Sequence, residues 1–216
     1  MQHAINEARA PSKDVEIGEI GLLGTLAAPA AAKGVVAFAH GSGSSRLSPR
    51  NRMVAGALQQ AGFATLLFDL LTESEAEDRD NVFDIDLLGG RLLLATDWLL
   101  EEPSVDGLSI GYFGASTGAA AALVAAAEHP DRLTAVVSRG GRPDLAGSAL
   151  PKVRVPTLLI VGGYDDVVID LNRQAMARMT CPTELEIVPG ATHLFEEPGC
   201  LDHVVALTID WFARHV

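Results

Sequence analysis

The pentapeptide Gly114-Ala115-Ser116-Thr117-Gly118 places one serine between two glycines at the end of an apolar run. It matches the G-x-S-x-G pattern, in which small neighbours allow a sharp strand-to-helix turn that projects a serine hydroxyl as a nucleophile. The same serine could instead cap the following helix, because serine is a favoured N-cap residue. The pentapeptide leaves both interpretations open, since a catalytic serine also needs a base and a group that orients the base.

His193 is the best candidate for the base. It lies in GATHLFEEPG, between the last predicted strand and the last predicted helix, on the same expected sheet edge as Ser116. The alternative is a loop histidine that is bonded to the backbone. The remaining histidines are less suitable because of their positions. His3 lies in the N-terminal segment, His129 ends a predicted helix, and His203 and His215 lie on or beyond the last predicted helix. His40 lies in the loop after the first parallel strand.

The orienting acid is predicted to lie between Ser116 and His193 in the sequence, as in the chain order Ser, acid, His. The segment IVGGYDDVV offers Asp165 and Asp166 after a predicted strand. We favour Asp165, because the glycines before it give the turn freedom and Asp166 could equally cap a helix. Asp144 follows an earlier strand and is a weaker candidate. The chosen carboxylate would fix the imidazole tautomer and stabilise the imidazolium.

Acyl transfer also needs hydrogen-bond donors for the developing oxyanion. Thr117 follows the serine and starts a predicted helix, so its N–H group should be free of intrahelical partners. The glycines of HGSGSS let that loop fold close to the site, and the amide of Ser42 is predicted to face the substrate. His40 is then expected to organise this loop rather than to act as a base.

Predicted strands and helices alternate along most of the chain. Short apolar runs that end in turn residues predict buried strands at 34–40, 64–70, 107–115, 133–139, 155–163 and 184–190. Helical spacing predicts helices at 50–61, 84–101, 117–129, 168–180 and 201–214. This alternation favours an α/β fold with a mostly parallel sheet and helices on both faces. Glycine-broken segments at 15–29 predict an antiparallel strand pair at the start of the sheet.

The loops at the carboxyl ends of parallel strands are where ligands bind in such sheets, and these loops carry the candidate residues. The segment between the strands at 133–139 and 155–161 is too short for a separate cap domain, so the site is expected to be open. The acidic stretch 73–80 is predicted to be a solvated loop.

The length of 216 residues predicts a single domain over 15–216, and residues 1–14 are expected to form a mobile leader without a secretory signal pattern. The net charge of −12 disfavours nucleic-acid binding, and no apolar run is long enough to cross a membrane. Cys181 and Cys200 lack metal-ligand spacing, and we expect reduced thiols in a cytoplasmic protein. Neither a metal nor a cofactor is expected.

Taken together, HGSGSS, GASTG, GGYDD and GATHLFEEPG resemble the α/β-hydrolase superfamily, and within it the small proteins related to dienelactone hydrolase. The resemblance runs from about Val15 to the C-terminus. It implies the α/β-hydrolase fold with Ser116 as nucleophile, His193 as general base and acid, Asp165 as orienter, and the Ser42 and Thr117 amides as oxyanion hole. Dienelactone hydrolase uses a cysteine nucleophile where this chain has serine. The implied activity is therefore hydrolysis of small carboxylic esters or lactones through an acyl-serine intermediate.

Two other functions are kept as alternatives. The strand, Gly41-x-Gly43, helix and Asp69 resemble part of a dinucleotide-binding fingerprint, but Asp69 lies 28 residues after Gly41, beyond the usual spacing of about 20. A small-molecule-binding protein without catalytic activity could retain the same loops.

The arginines near the predicted site are the residues from which most can be inferred about the substrate. Arg46, Arg50, Arg52, Arg139 and Arg142 lie on or beside the predicted catalytic edge of an acidic chain. Arg139, Arg142 and Arg46 could bind a carboxylate or phosphate of the substrate, which guanidinium groups recognise in bidentate fashion. The alternative is that they pair with acids such as Asp69 and Asp144 and order the loops.

Overall fold

The computed structural model describes residues 10–216, which form one eight-stranded sheet with helices packed on it. The strands are β1 (Ser12–Ile17), β2 (Leu22–Ala27), β3 (Val35–Ala39), β4 (Ala64–Phe68), β5 (Ile110–Ala115), β6 (Ala135–Arg139), β7 (Thr157–Gly162) and β8 (Thr183–Val188). The α-helices are α1 (Pro49–Gln60), α2 (Glu73–Ala76), α3 (Arg79–Phe83), α4 (Ile85–Glu101), α5 (Thr117–Glu128), α6 (Asp166–Met176) and α7 (Cys200–His215).

The strand order is β1-β2-β4-β3-β5-β6-β7-β8. Strands β1 and β2 are antiparallel to each other, and β2 is antiparallel to β4, whereas every pair from β4 to β8 is parallel. The predicted mostly parallel sheet with an N-terminal antiparallel pair is confirmed. One boundary needs correction, because β1 begins at Ser12 and so includes three residues assigned to the leader. The rest of the predicted leader, residues 1–9, lies outside the described residues.

The two faces of the sheet carry separate hydrophobic cores. In β3, Val35 and Ala37 point into the core that α4 and α5 cover, whereas Val36 and Phe38 point into the core that α1 and α7 cover. Successive side chains of a strand point to opposite faces, so a sheet that is covered on both sides requires an apolar residue at nearly every position. This explains why the central strands are continuous apolar runs in the sequence.

The acidic stretch 73–80 is not the irregular loop that the sequence predicts. It contains α2 and the start of α3, and α2 begins with a capping box in which Thr72 and Glu75 satisfy each other's backbone N–H groups. The pattern T-x-x-E was a local signal for this helix start. The segment between β6 and β7 contains only a 3₁₀ stretch, Pro143–Lys152, with a kink at Gly147. As predicted, no separate cap domain covers the sheet edge in the described part of the chain.

The order of the strands creates the crevice in which a ligand can bind. Strand β3 lies between β4 and β5, so the chain runs to one side of β3 first and returns to the other side later. Helix α1, which follows β3, packs on the opposite face from α5, which follows β5. The loops after β3 and β5 therefore separate at the carboxyl edge of the sheet, which is the usual ligand-binding position in open α/β sheets.

Candidate active site

Ser116 occupies a strained turn between β5 and α5. Its φ of 51° and ψ of −121° are unusual for a residue that is not glycine, and such a conformation costs on the order of 1–3 kcal/mol. The backbone around it is held by its neighbours, because Arg142 N–H donates to the Ser116 carbonyl at 3.1 Å. Ser116 stands at the N-cap position of α5, but its side chain makes no capping hydrogen bond. The hydroxyl is therefore not used as a helix cap.

The two glycines of the pentapeptide are required by close packing. A Cβ atom at Gly118 would lie 2.2 Å from the Ala39 carbonyl oxygen, and one at Gly114 would lie 2.5 Å from the Ala119 Cα atom. No side chain fits at these distances, so only glycine allows α5 to start this close to β3 and β5. The G-x-S-x-G pattern thus has a steric cause in this fold.

Asp165 and His193 are hydrogen-bonded to each other. The Asp165 Oδ2 atom lies 2.6 Å from His193 Nδ1, although the two residues are 28 positions apart in the sequence. Asp165 lies in the turn after β7, and His193 lies in the loop after β8, so adjacent parallel strands bring them to the same edge. The sequence left Asp166 open as the orienting acid. In the structure Asp166 is the first residue of α6, and Asp165 holds the N-cap position without capping the helix.

Ser116 and His193 line one open cleft at the carboxyl edge of the sheet. The cleft has a volume of about 610 Å³, and its walls also include Arg139, Leu194 and the 41–51 segment. No hydrogen bond joins the Ser116 hydroxyl to His193 within residues 10–216. Such bonds are often long in resting enzymes and tighten when substrate binds.

The candidate oxyanion donors lie together at the start of α5. Thr117 is the first residue of that helix, so its N–H group has no intrahelical partner. The Ser42 N–H group donates to the Thr117 Oγ1 atom at 2.9 Å, so this amide is occupied in the resting structure instead of facing open solvent. This hydrogen bond ties the 41–45 loop to the N-terminus of α5. No local sequence pattern predicts this contact.

Both ring nitrogens of His40 bind backbone groups. His40 Nε2 accepts a hydrogen bond from Leu70 N–H at 3.1 Å, so Nδ1 carries the proton and donates to the Gly41 carbonyl at 3.0 Å. Burial holds the pKa of His40 below its usual value of 6.5, and the Gly41 hydrogen bond and the Asp69 charge offset only part of this effect. These contacts agree with the prediction that His40 organises its loop, and they leave no free nitrogen for catalysis.

His40 should make the protein less stable in mild acid. Its pKa is lower in the folded state than in the unfolded chain, so below about pH 6.5 the unfolded state takes up a proton that the folded state does not. This contribution lowers the free energy of unfolding by up to about 1.4 kcal/mol per pH unit as the pH falls. We expect the His40→Gln variant, whose side chain does not titrate and whose amide oxygen can accept a hydrogen bond from Leu70 N–H, to lose this part of the slope between pH 6.5 and 5.5.

Urea unfolding at pH 7.5, 6.5 and 5.5 measures this slope. The same substitution at His129, which is exposed at the end of α5, is the matched control and should keep the wild-type slope. Equal slopes for wild type and His40→Gln would contradict the prediction.

The arginines divide into paired and unpaired groups. Arg46 forms an ion pair with Asp69, and its backbone N–H also donates to Asp69. Arg142 binds Asp144 in bidentate fashion at 2.9 and 2.8 Å. For Arg46 and Arg142 the structure therefore favours the loop-ordering interpretation over substrate binding. Arg139 differs, because its Nε and Nη1 atoms are buried without a hydrogen-bond partner.

Two residues that the sequence did not single out hold the site loops. Glu197 accepts a hydrogen bond from Thr192 N–H at 3.0 Å and so supports the turn that carries His193. Asn172 is buried on α6 and donates to the Gly141 carbonyl at 3.0 Å, next to the end of β6. An asparagine on the apolar face of a predicted helix indicates a buried hydrogen bond, but the sequence does not identify its partner.

Metal ligation and membrane insertion find no support in the described segment. Among residues 10–216, no group of three or more His, Cys, Asp or Glu side chains is placed to hold a metal ion. None of the helices in this range has the length and apolar character needed to span a bilayer.

Comparison with solved structures identifies the same fold. A dienelactone hydrolase from Anabaena variabilis is 57% identical, with a TM-score of 0.91 and coverage of 95% of this chain and 97% of that chain. The protein Est1E from Butyrivibrio proteoclasticus is 16% identical, with a TM-score of 0.75 and coverage of 95% and 98%, which shows the fold alone.

Comparison with curated sequences gives a longer relative. A Mycobacterium tuberculosis protein with the name "Putative phosphoribosyl transferase" is 57% identical over 210 residues, which cover 95% of this chain and 47% of that protein. The chain thus spans about half the length of this relative. The family model described as Dienelactone hydrolase family matches residues 22–206, which include the turns that hold Ser116, Asp165 and His193. On this evidence the chain belongs to the dienelactone hydrolase family.

Proposed function

We propose that the protein is a serine hydrolase that cleaves small carboxylic esters or lactones through an acyl-serine intermediate. The observation that carries this proposal is the Asp165–His193 hydrogen bond at the edge of a cleft that also contains Ser116 in a strained turn. Membership of a hydrolase family supports hydrolysis as the reaction class. Acyl transfer needs a nucleophile, a base and an orienter, and we assign these roles to Ser116, His193 and Asp165.

In the first half of the reaction, the Ser116 hydroxyl attacks the ester carbonyl carbon while His193 Nε2 removes its proton. Asp165 keeps the Nδ1 proton in place, so Nε2 is free to accept, and the carboxylate then stabilises the imidazolium. The tetrahedral intermediate collapses when the carbon–oxygen bond to the leaving alcohol breaks and His193 returns the proton to that oxygen. A lactone follows the same path, with the alcohol still attached to the acyl group.

In the second half, His193 takes a proton from water, and the resulting hydroxide attacks the acyl-serine. The bond to Ser116 Oγ breaks, and His193 protonates this oxygen as the carboxylic acid leaves. The open cleft gives water direct access to the acyl group. It also suits small esters better than a long acyl chain that would need an enclosed tunnel.

The oxyanion in both halves is proposed to bind the backbone N–H groups of Thr117 and Ser42. The Thr117 amide is free at the start of α5, and the dipole of that helix adds positive potential there. The Ser42 N–H group donates a hydrogen bond to Thr117 Oγ1, and during the reaction it would donate to both that oxygen and the developing oxyanion. Removal of one such donor typically costs about 2.7–4 kcal/mol of transition-state stabilisation.

The proposed setting is the cytoplasm. Both cysteines, Cys181 and Cys200, are free thiols, which agrees with a reducing compartment. The substrate is proposed to be a small molecule.

Labelling with a fluorophosphonate tests the nucleophile and its activation together. We expect Ser116 Oγ to attack the phosphorus atom and displace fluoride, which leaves a covalent adduct on the peptide that contains Ser116. Peptide mass spectrometry locates the adduct. Heat-unfolded protein is the control and should stay unlabelled, because the hydroxyl then lacks its base. A folded protein that takes up no label, or takes it up at another serine, would favour the non-catalytic binding protein.

A further inference from the structure

The turn that carries Asp165 and the loop that carries His193 are bonded directly to each other. Backbone hydrogen bonds of 2.8 and 2.9 Å join residues 163–165 to residues 188–193. The side-chain bond between Asp165 and His193, at 2.6 Å, joins the same two segments. We call these two segments the acid–base unit, because their mutual contacts hold them together.

Ser116 is held by another segment, at the end of β6. Its N–H group donates to the Arg139 carbonyl at 3.3 Å, and its carbonyl accepts from Arg142 N–H at 3.1 Å. We call Ser116 and residues 139–142 the nucleophile unit. In the described part of the chain no hydrogen bond joins the Ser116 hydroxyl to His193. The distance between the proposed nucleophile and the proposed base therefore depends on how the two units are joined.

Asn172 joins the two units. It lies in the second turn of α6, the helix that continues from the acid–base unit, and its Nδ2 atom donates to the Gly141 carbonyl at 3.0 Å. Among residues 10–216 this is the one side-chain hydrogen bond from α6 to the nucleophile unit. The neighbouring Gly140 packs against the base, since a Cβ atom there would lie 3.0 Å from the His193 carbonyl oxygen. The segment that Asn172 holds thus contacts both the nucleophile and the base.

The sheet provides one further link at this edge. The Gly140 N–H group donates to the Ile160 carbonyl at 2.8 Å, which continues the ladder between β6 and β7 by one residue. After this bond both chains leave the sheet, β6 into the nucleophile unit and β7 into the acid–base unit. Asn172 is therefore the contact that fixes the two units to each other beyond the end of the ladder.

Stability alone gives little reason for an asparagine at this position. Asn172 is fully buried, and its Nδ2 atom also donates to the Val168 carbonyl at 2.8 Å. Its Oδ1 atom, however, is buried without a hydrogen-bond partner among the described residues. An unpaired buried acceptor costs about as much free energy as a hydrogen bond gains. The remaining benefit of this side chain is geometric, and it comes from the bond to Gly141.

We propose that Asn172 is a positioning residue that sets the distance between Ser116 and His193 by joining the acid–base unit to the nucleophile unit. The proposal rests on the proposed hydrolase function, because it names a role in that reaction. Asn172 touches no reacting atom and acts through the Gly141 carbonyl. Proton transfer from Ser116 to His193 needs hydrogen-bond reach, and a misplacement of about 1 Å can lower a rate roughly 10²-fold. Loss of the link should therefore lower kcat and leave KM nearly unchanged.

Two variants test the link at Asn172. Serine can donate to the Val168 carbonyl one turn earlier, as the buried Thr208 hydroxyl does to Val204 at 2.7 Å, but it is too short to reach Gly141. Asn172→Ser therefore removes only the link, whereas Asn172→Leu removes both bonds at similar volume. We expect both variants to lower kcat for 4-nitrophenyl butyrate roughly 10- to 100-fold, with KM within about twofold of wild type.

Thr208→Val is the matched control for these variants. It removes a buried hydrogen bond within α7, and Thr208 does not line the Ser116 cleft. We expect this control to lower Tm without lowering kcat, because the contact between the two units is intact. A loss of kcat in Thr208→Val as large as that in Asn172→Ser would show that any weakened helix lowers activity, and it would overturn the proposal.

Two readouts distinguish positioning from a general loss of structure. The first is the low-field proton NMR signal of His193 Nδ1–H, which is bonded to Asp165 and is measured without substrate. We expect both Asn172 variants to keep the wild-type signal, because the acid–base unit retains its own bonds. The second is the crystal structure of Asn172→Leu, in which the distance from Ser116 Oγ to His193 Nε2 should be about 1 Å longer than in wild type. Loss of the NMR signal would show damage to the acid–base pair itself and would contradict the proposal.

These results separate the positioning role from the hydrolase function. If wild type hydrolyses no ester but the distance from Ser116 to His193 still increases in Asn172→Leu, the positioning role stands and the hydrolase function fails. If wild type is active and both variants keep its kcat, the hydrolase function stands and the positioning role is overturned. If Asn172→Leu does not fold, Asn172→Ser carries both measurements, because it keeps the bond within α6.

Discussion

Replacement of Ser116 with alanine is expected to lower kcat for a short-chain 4-nitrophenyl ester by about 10⁴- to 10⁶-fold. The variant lacks the oxygen that is proposed to form the acyl-enzyme, whereas Asp165, His193 and the proposed oxyanion donors remain. The fold should survive, because the Ser116 side chain makes no capping hydrogen bond and the turn is held by backbone contacts. Circular dichroism and Tm measured beside the kinetics separate loss of chemistry from loss of structure.

Ser104→Ala is the matched control for this experiment. Ser104 lies in a short 3₁₀ turn before β5, and within residues 10–216 its hydroxyl bonds only to Glu102, so its loss should leave kcat unchanged. A Ser116→Ala protein with even a tenth of the wild-type kcat would show that another group is the nucleophile.

Replacement of Asp165 with asparagine should lower kcat by roughly 10³- to 10⁴-fold. Asparagine has nearly the same shape, but its neutral amide cannot stabilise a charged imidazolium as the carboxylate does when it accepts the hydrogen bond from Nδ1–H. It also allows the imidazole to adopt the other tautomer, in which Nε2 carries the proton and cannot act as a base. The 2.6 Å contact between Asp165 and His193 is the contact that this change alters.

The neighbouring acid gives a direct comparison. Asp166→Asn should keep most of the wild-type kcat, because Asp166 is the first residue of α6 and contributes only a favourable charge to the helix end. The two variants are compared by kcat with the same ester at one pH. If Asp166→Asn loses as much activity as Asp165→Asn, the assignment of the orienting acid is wrong.

The fold could be predicted from the sequence because its strands are buried on both faces. Continuous apolar runs such as the one that forms β5 mark buried strands, and glycines mark the turns that follow them. The capping box at Thr72 is also a local pattern that predicts a helix start, but the many acidic residues around it favoured the prediction of an irregular loop. The start of β1 at Ser12 was missed because Ser12, Lys13 and Asp14 are polar, and β1 lies at the exposed edge of the sheet.

The site was predictable to the level of loops, but not to the level of side-chain partners. Chain order and strand ends were enough to place Asp165 and His193 near each other. Which arginine is paired depends on distances between loops that are far apart in the sequence: Arg46 and Asp69 are 23 positions apart, and Arg50 and Glu196 are 146 apart. No local pattern encodes such pairs. The same reason hid the hydrogen bond from Ser42 to Thr117, which spans 75 positions.

The position of β3 at the reversal of the strand order has a consequence for how the protein acquires its cleft. The walls of the cleft come from residue 41 to residue 194, so contacts between them close very long loops, and we expect them to form late in folding. Strand β8 must join the sheet before His193 can reach Asp165. A chain that is still emerging from the ribosome can therefore form β3 to β5 and their helices without a complete cleft. We expect activity of the proposed site to appear only after β8 has joined the sheet, so activity recovered during refolding should report the completed sheet.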